Sequence, residues 1–399
     1  MIYGYGVSGK SIEQYLINKK YNFKIYDDLI FNNKNKNFIN YNKVIKSLTS
    51  IDYFIVSPSI KINKSHFLYK FKKKIIIDLD FLSLEIKNQK IIGITGTEGK
   101  STICSYLHQI LSKYYNTALI GNFGNTILEK KDLSNFLSKT EIIIIELSSY
   151  QLDKIQNLKL DYAIITNIYN DHIKYHSTLK KYIDAKLKIY SFLIKEGVFF
   201  APKIYIDKKK HPKVIAIPNL TINKKDPKKS INFNNKKIIR VFMKKFDRKI
   251  NYNDKLLKEL PYRNQLVISR QNLKIYNDSK CTNLENAIIK TNLLKNKNKI
   301  LILGGIPKVS KTLPMPVKNT LVLIFGGYTE KISNLIILKN SKYILFNVLD
   351  DLIEFISISI KKHNYEIILF SPGGESFDHY KNYADRGRHF NQLLKSHKI

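Results

Sequence analysis

The sequence predicts an α/β protein of three units, each built on a largely parallel sheet. Short apolar runs alternate with longer amphipathic stretches along the whole chain. Nearly every run ends in Gly, Ser, Thr, Asn or Glu, the residue types that meet ligands beyond the carboxyl ends of parallel strands. One run passes through a glycine-rich turn into a helix-like stretch. With 399 residues, 44% hydrophobic and 12% aromatic, the chain is long enough to bury several cores.

The first unit, residues 1–87, has runs at Met1–Gly4, Phe23–Tyr26, Tyr53–Val56 and Ile75–Ile77. Its Gly4-x-Gly6-x-x-Gly9 followed by Asp27 invites a dinucleotide reading, but a lone motif of this form is weak evidence. The second unit, 88–260, carries Lys90–Ile94, Ile142–Ile145 and Tyr162–Thr166. A polar Lys/Asn/Pro-rich stretch, Lys203–Asn235, interrupts it and reads as loop with a weak strand signal at Val214–Ile217. The third unit, 261–399, begins near Leu260-Pro261 and has runs at Ile300–Leu303, Leu321–Phe325 and Ile367–Phe370.

A formal charge of +36 raises the question of nucleic acid. Lysine is scattered through every segment rather than gathered in one stripe, and Asn, Ile, Tyr and Phe are also abundant. That pattern reads as compositional bias, with no specific nucleic-acid partner. No apolar run approaches bilayer length and no leader pattern is present, so a cytoplasmic protein without membrane insertion is expected. Cys104 and Cys281 lie far apart without metal-like spacing, which argues against a zinc site or disulfide framework.

The chemistry concentrates in the second unit. Gly93-Ile-Thr-Gly-Thr-Glu-Gly-Lys-Ser-Thr102 follows an apolar run and precedes the helix-like Ile103–Lys113. Glycines in such a turn let backbone N–H groups converge on phosphates, Lys100 supplies a cation and Ser101 a hydroxyl for magnesium. The strict Walker spacing is not met, because Ile94 stands where its first glycine belongs. Glu146 follows four isoleucines; a carboxylate at a buried strand end is expensive unless paired or bound to a cation. Taken alone, His172 reads as a loop or core histidine and Lys186 as a solvated lysine.

Together these segments resemble the Mur ligases. The resemblance runs from Thr95-Gly-Thr-x-Gly-Lys-Ser-Thr102 through Glu146-Leu-Ser-Ser-Tyr-Gln-Leu152 to Asn167-x-x-x-Asp-His172 and Ala185-Lys-Leu187. It continues with Leu260-Pro-Tyr-Arg263, Asn277-Asp-Ser-Lys-Cys-Thr-Asn283 and Ser371-Pro-Gly-Gly-Glu-Ser-Phe-Asp-His-Tyr-Lys-Asn-Tyr383 with Arg386-Gly387. The motifs stand in family order over essentially the whole chain. The resemblance implies a three-domain architecture: a Rossmann-like N-terminal domain, a P-loop-type central ATPase domain and a Rossmann-like C-terminal domain.

The implied activity is ATP-dependent addition of D-glutamate to UDP-N-acetylmuramoyl-L-alanine through an acyl phosphate, by a monomeric enzyme using two magnesium ions. The resemblance implies that Gly96, Thr97, Glu98, Gly99, Lys100, Ser101, Thr102, Asn232, Asn235, Arg263 and Asp278 meet ATP. Ser101, Glu146, His172 and a carbamylated Lys186 would hold magnesium, with Lys280 joining Lys100, Glu146, His172 and Lys186 in catalysis. Val7, Ser8, Asp27, Asp28, Asn122, Ser148 and His172 would meet the UDP substrate. Thr282, Lys308, Ser376, Phe377 and Tyr383 would surround D-glutamate.

Glu98, Ser59, Ser230–Asn235 and Ile306-Pro307 depart from the family pattern, and Glu98 is expected to face away from the phosphates. Alternatives stay open at this stage: a sibling Mur-type or folylpolyglutamate-type ligase with another amino acid, or an inactive basic nucleic-acid-binding derivative.

Overall fold

A computed structural model describes the chain except residues 31, 33, 122–127, 129, 131, 170–171, 207–212, 218–226, 271, 295–297, 309–318 and 337–342. The described residues form three sheets. The first contains β1 (Ile2–Tyr3), β2 (Ile25–Tyr26), β3 (Phe54–Val56) and β4 (Ile75–Ile76), in the order β2-β1-β3-β4. The second contains β5 (Lys90–Thr95), β6 (Thr117–Gly121), β7 (Ile142–Glu146), β8 (Leu160–Ile165), β9 (Leu193–Pro202) and β10 (Val214–Ile217), in the order β10-β9-β8-β5-β7-β6. All pairings in these two sheets are parallel.

The third sheet contains β11 (Gln265–Ser269), β12 (Lys274–Asn277), β13 (Lys299–Gly304), β14 (Thr320–Phe325), β15 (Tyr343–Phe346) and β16 (Ile367–Gly373). Its order is β11-β12-β16-β13-β14-β15, with β11 antiparallel to β12 and the rest parallel.

The strands form where the sequence is most apolar because both faces are covered. Ile142–Ile145 of β7 are buried between β5 and β6, which explains an unbroken run in place of alternation. Helix Lys100–Leu111 packs Ile103, Cys104, Leu107, Ile110 and Leu111 inward at helical spacing. Each Ile and Leu side chain among them contributes about 1.5–3 kcal/mol by leaving water.

The molecule divides into two compact units, an N-terminal one reaching Leu257 and holding the first two sheets, and a C-terminal one made chiefly of Lys258–Ile399. The first two sheets share a continuous apolar core that includes Ile2, Leu82, Ile91 and Ile145. Buried Asp80 reinforces the join, accepting from the backbone N–H groups of Ile77, Gln156 and Asn157 at 2.8, 2.9 and 2.7 Å. Burial nevertheless raises its pKa.

Several elements differ from expectation. The end of the polar stretch Lys203–Asn235 is not loop: helix Pro227–Phe246 begins inside it, because Ile238, Ile239, Phe242 and Met243 give its later turns a buried face. Strands β6, β9, β11 and β12 mix polar and apolar residues and give no clear run in the sequence, whereas β15, Tyr343–Phe346, is a short apolar run that the sequence reading passed over. Helix Lys100–Leu111 also starts three residues before the helical periodicity does.

Candidate active site

The glycine-rich turn leaves β5 between β7 and β8, where the strand order reverses and a crevice opens beyond the strand ends. Gly96 has φ +150° and Gly99 φ +81°, and neither position has room for a side chain. A Cβ on Gly96 would meet Thr166 Oγ1 at 1.9 Å; one on Gly99 would meet Asn235 Oδ1 at 2.5 Å. Both glycines are therefore set by packing as well as by backbone conformation.

Residues at the end of β8 sew the turn in place. Thr97 N–H donates to Asn167 O at 2.9 Å, and Glu98 N–H donates to Asn167 Oδ1 at 2.9 Å. Glu98 O accepts from Thr166 Oγ1 and Asn167 Nδ2 at 2.6 and 2.9 Å. Glu98 itself is exposed, its backbone pinned while its carboxylate meets solvent. Thr166 was visible only as a polar residue ending a strand and Asn167 only as a motif residue without a role; their partners lie about 70 residues earlier, where local pattern gives no signal.

Two ammonium groups converge on one oxygen of this turn. Lys100 Nζ donates to Gly96 O at 2.8 Å and to Thr97 O at 3.0 Å. Lys186 Nζ, on helix Leu179–Leu187 and only 1% exposed, donates to the same Gly96 O at 2.7 Å. The sequence reading of Lys186 as a solvated lysine is therefore wrong: it is buried against the phosphate-loop backbone.

Tyr182, one turn before Lys186, is the hub of the cluster and was missed in the sequence. Its hydroxyl lies 2.9 Å from Thr97 Oγ1, and its ring lies 4.8 Å from Lys186 Nζ. The His172 and His176 rings lie 6.0 and 5.3 Å from it. His172 adopts a left-handed conformation, φ 54°, and its Nδ1 pairs with Tyr150 OH at 2.8 Å. His176 Nε2 pairs with Ser149 Oγ at 3.0 Å, and burial lowers its pKa.

Glu146 ends β7 in register with Ile94, two residues before Gly96, and is 2% exposed. Ser101 is buried in the first helical turn, with Thr102 beside it. Ser148 caps helix Ser149–Lys154, its Oγ accepting from Gln151 N–H, so its hydroxyl already serves a structural bond. Among the described residues no three His, Cys, Asp or Glu side chains form a metal cage. An acid and a hydroxyl near a phosphate-type loop match magnesium, a hard cation that takes few protein oxygens and completes its shell with phosphate and water; the His172 imidazole is the one donor that departs from this oxygen set. An ammonium at Lys186 does not fit a cation site; a carbamate there would.

Asn235 is fully buried, and neither polar atom of its side chain has a partner among the described residues. The Asn232 side chain and Asn122 lie outside the described residues.

On the first sheet, Val7 is exposed and Ser8 hydrogen-bonds Asp78, whose pKa burial raises. Asp27 accepts from the N–H groups of Tyr5, Leu29 and Ile30 at 2.7, 2.8 and 2.9 Å, and its pKa is lowered: those bonds outweigh the opposing desolvation. Asp28 accepts from Tyr3 and Tyr26 hydroxyls at 2.8 and 2.9 Å. Both aspartates thus order the end of the sheet themselves.

The C-terminal unit gathers its own group. Tyr262 and Asn264, at φ 60° and 50°, flank Arg263 in a turn docked on Asp278–Lys280 through Asn264 N–H to Asp278 Oδ1 (2.9 Å) and Lys280 N–H to Tyr262 O (3.0 Å). Asp278 is buried; its Oδ2 also meets Lys290 Nζ at 2.5 Å and Ser371 Oγ at 3.1 Å. Lys280 Nζ lies 4.4 Å from the centre of the Tyr383 ring.

Arg386, fully buried, donates from Nε to Ser279 Oγ and from Nη2 to Ser279 O and Gly374 O at 3.1, 2.8 and 3.0 Å. Desolvation lowers its pKa to about 10. Ser376 is buried, Thr282 half-buried and Phe377 exposed, while Lys308 pairs with Glu375 at 2.8 Å. Lys290, Glu375 and the buried role of Arg386 were not legible beforehand.

The Mur ligase middle-domain family model matches residues 94–266. The chain is 31% identical to the UDP-N-acetylmuramoylalanine–D-glutamate ligase of Francisella philomiragia, covering 99% of this chain and 96% of that one. It is 28% identical to the enzyme of the same name from Thermotoga maritima, covering 99% and 97%. Among solved structures, the MurF ligase of Thermotoga maritima in complex with ADP superposes with TM-score 0.53 at 14% identity, over 95% of this chain and 97% of that chain.

Proposed function

The chain belongs to the Mur ligases, ATP-dependent enzymes of peptidoglycan synthesis, among the UDP-N-acetylmuramoylalanine–D-glutamate ligases, and from that premise we propose how its residues divide the reaction. The observation that carries the proposal is the meeting of Lys100 and Lys186 on the Gly96 carbonyl of the turn after β5.

Lys100 turns from that carbonyl to the ATP phosphates, which offer full negative charge where the carbonyl offers a dipole. Backbone N–H groups at the start of helix Lys100–Leu111 face the same anion. The buried Asn235 amide, without a partner among the described residues, costs about 1–3 kcal/mol, which bonds to the nucleotide would offset. The alanyl carboxylate of UDP-N-acetylmuramoyl-L-alanine attacks the γ-phosphorus, ADP leaves, and an acyl phosphate results. The D-glutamate amine then attacks the acyl carbon, loses a proton and expels phosphate.

Ser101, Glu146, His172 and a carbamylated Lys186 are the residues that would hold magnesium, whose chemistry is to neutralise charge building on the transferred phosphoryl oxygens. The Tyr150 hydroxyl fixes which way His172 points, and Tyr182 holds Thr97 through its hydroxyl and the Lys186 Nζ over its ring. In the C-terminal unit, Arg263, Asp278 and Lys280 serve the nucleotide and reacting groups, and Lys308, Thr282, Ser376, Phe377 and Tyr383 serve D-glutamate. The division 1–87, 88–260 and 261–399, a monomeric state and a cytoplasmic location belong to the same reading.

The test mixes the protein with Mg-ATP, UDP-N-acetylmuramoyl-L-alanine and either D- or L-glutamate, following phosphate and the amide product. D-isomer turnover is expected; turnover only with another amino acid would move the protein to a sibling activity.

A further inference from the structure

Glu375 stands in the turn after β16, and its Oε1 lies 2.8 Å from Lys308 Nζ. The backbone sets up this pair before any ligand arrives. Ile306 and Glu375 exchange both main-chain hydrogen bonds, at 2.8 and 2.9 Å, and Lys308 follows two residues later. Two glycines permit the approach: a Cβ on Gly305 would meet Glu375 O at 2.3 Å, and one on Gly374 would meet Gly304 O at 2.6 Å. The pair lies beyond the ends of β13 and β16, where the order of the third sheet reverses. The Lys308 and Glu375 side chains remain 52% and 36% exposed, so a solute reaches them.

We propose that Glu375 is a built-in competitor for the acceptor's carboxylate at Lys308, and so a determinant of the apparent affinity for D-glutamate. The inference rests on reading Lys308 as the cation that receives the acceptor. A glutamate side chain and a free glutamate offer Lys308 the same chemical group. Binding is then an exchange of one carboxylate for another, with little net electrostatic gain and with a like charge left beside the incoming anion. The exchange affects acceptor binding and leaves the amine's attack on the acyl carbon untouched. It belongs in KM, not kcat. The Ile306–Glu375 bridge uses main-chain atoms only, so Glu375→Gln keeps the turn while removing the competing charge.

Steady-state rates with D-glutamate varied should be compared for the wild type, Glu375→Gln, Lys308→Ala and the double variant. For Glu375→Gln, KM for D-glutamate should fall about two- to fivefold with kcat nearly unchanged, the range expected for a half-exposed ion pair. In the Lys308→Ala background the same substitution should leave KM where it is. An unchanged or raised KM, a fall in kcat instead, or an equal drop in both backgrounds overturns the proposal. A wild type that never turns over D-glutamate refutes the acceptor-site reading itself, whereas D-glutamate turnover with no KM shift refutes only the competitor.

Discussion

The two strand-end sites handle their lysines in opposite ways. After β5, Lys100 and Lys186 donate to a backbone carbonyl, and Lys154 in the same unit donates to Pro58 O at 2.7 Å and to the Tyr175 hydroxyl. After β12, β13 and β16, Lys290 and Lys308 rest on the carboxylates of Asp278 and Glu375. A carbonyl offers a partial charge that a phosphate easily outbids, whereas a carboxylate matches the charge of an incoming acid. An acid arriving at Lys308 has to trade with Glu375, whereas a phosphate arriving at the turn after β5 competes there with the Gly96 carbonyl.

Breaking the first site should produce the largest effect. Lys100→Met should lower kcat about 10²–10³-fold, as for loss of one strong anion-stabilising group, with the melting temperature nearly unchanged. Phosphate release and a thermal melt check both halves, and a mild kinetic loss would erase the contrast between the sites. Lys186→Ala should cost about 10–100-fold, in the range of lost metal-orienting groups, and recover in part when a short carboxylate is added. Failure of rescue at millimolar acetate or formate would argue that Lys186 acts as an ammonium.

Much of this was legible in the sequence, and the limits follow a pattern. The apolar runs of β5, β7, β13, β14 and β16 announced themselves because both faces are buried. The phosphate loop was legible because its glycines are demanded locally by backbone conformation. The roles of Tyr182 and Lys290, and the partners of the motif residues Asn167 and Glu375, were not, because each acts on a group brought close only by the fold. Lys186 shows the difference sharply: its immediate sequence reads as solvated helix, and only the distant Gly96 makes it a buried site residue. In the same way, Ser230–Asn235 read as polar loop, although the apolar positions from Ile238 onward draw it into a helix.

Smaller effects sharpen the comparison. Lys290→Met strips a cation from buried Asp278 and should destabilise the protein by about 1–2 kcal/mol, less than for a fully buried pair because Lys290 is partly exposed. Urea unfolding measures it, and a neutral result would show that Ser371 and Asn264 suffice for Asp278.

Lys154 gives the smallest effect, a pH slope. Burial lowers its pKa to about 8 from 10.5. Protonation therefore favours the unfolded chain: the penalty is fully present below the folded pKa and is relieved as pH rises towards the unfolded value. Raising pH from about 7 to about 9 should add up to about 1 kcal/mol of stability through this group. Urea unfolding at both pH values should show that gain shrinking in Lys154→Met; an identical slope would mean that Lys154 is solvated.

All of these roles converge on one step, the attack of the alanyl carboxylate on the γ-phosphorus of ATP at the loop after β5. Substrate labelled with ¹⁸O in that carboxylate tests it directly, by mass analysis of the phosphate released with the amide product. One ¹⁸O atom carried into each phosphate is the predicted result. Unlabelled phosphate formed together with the amide would contradict the acyl-phosphate route.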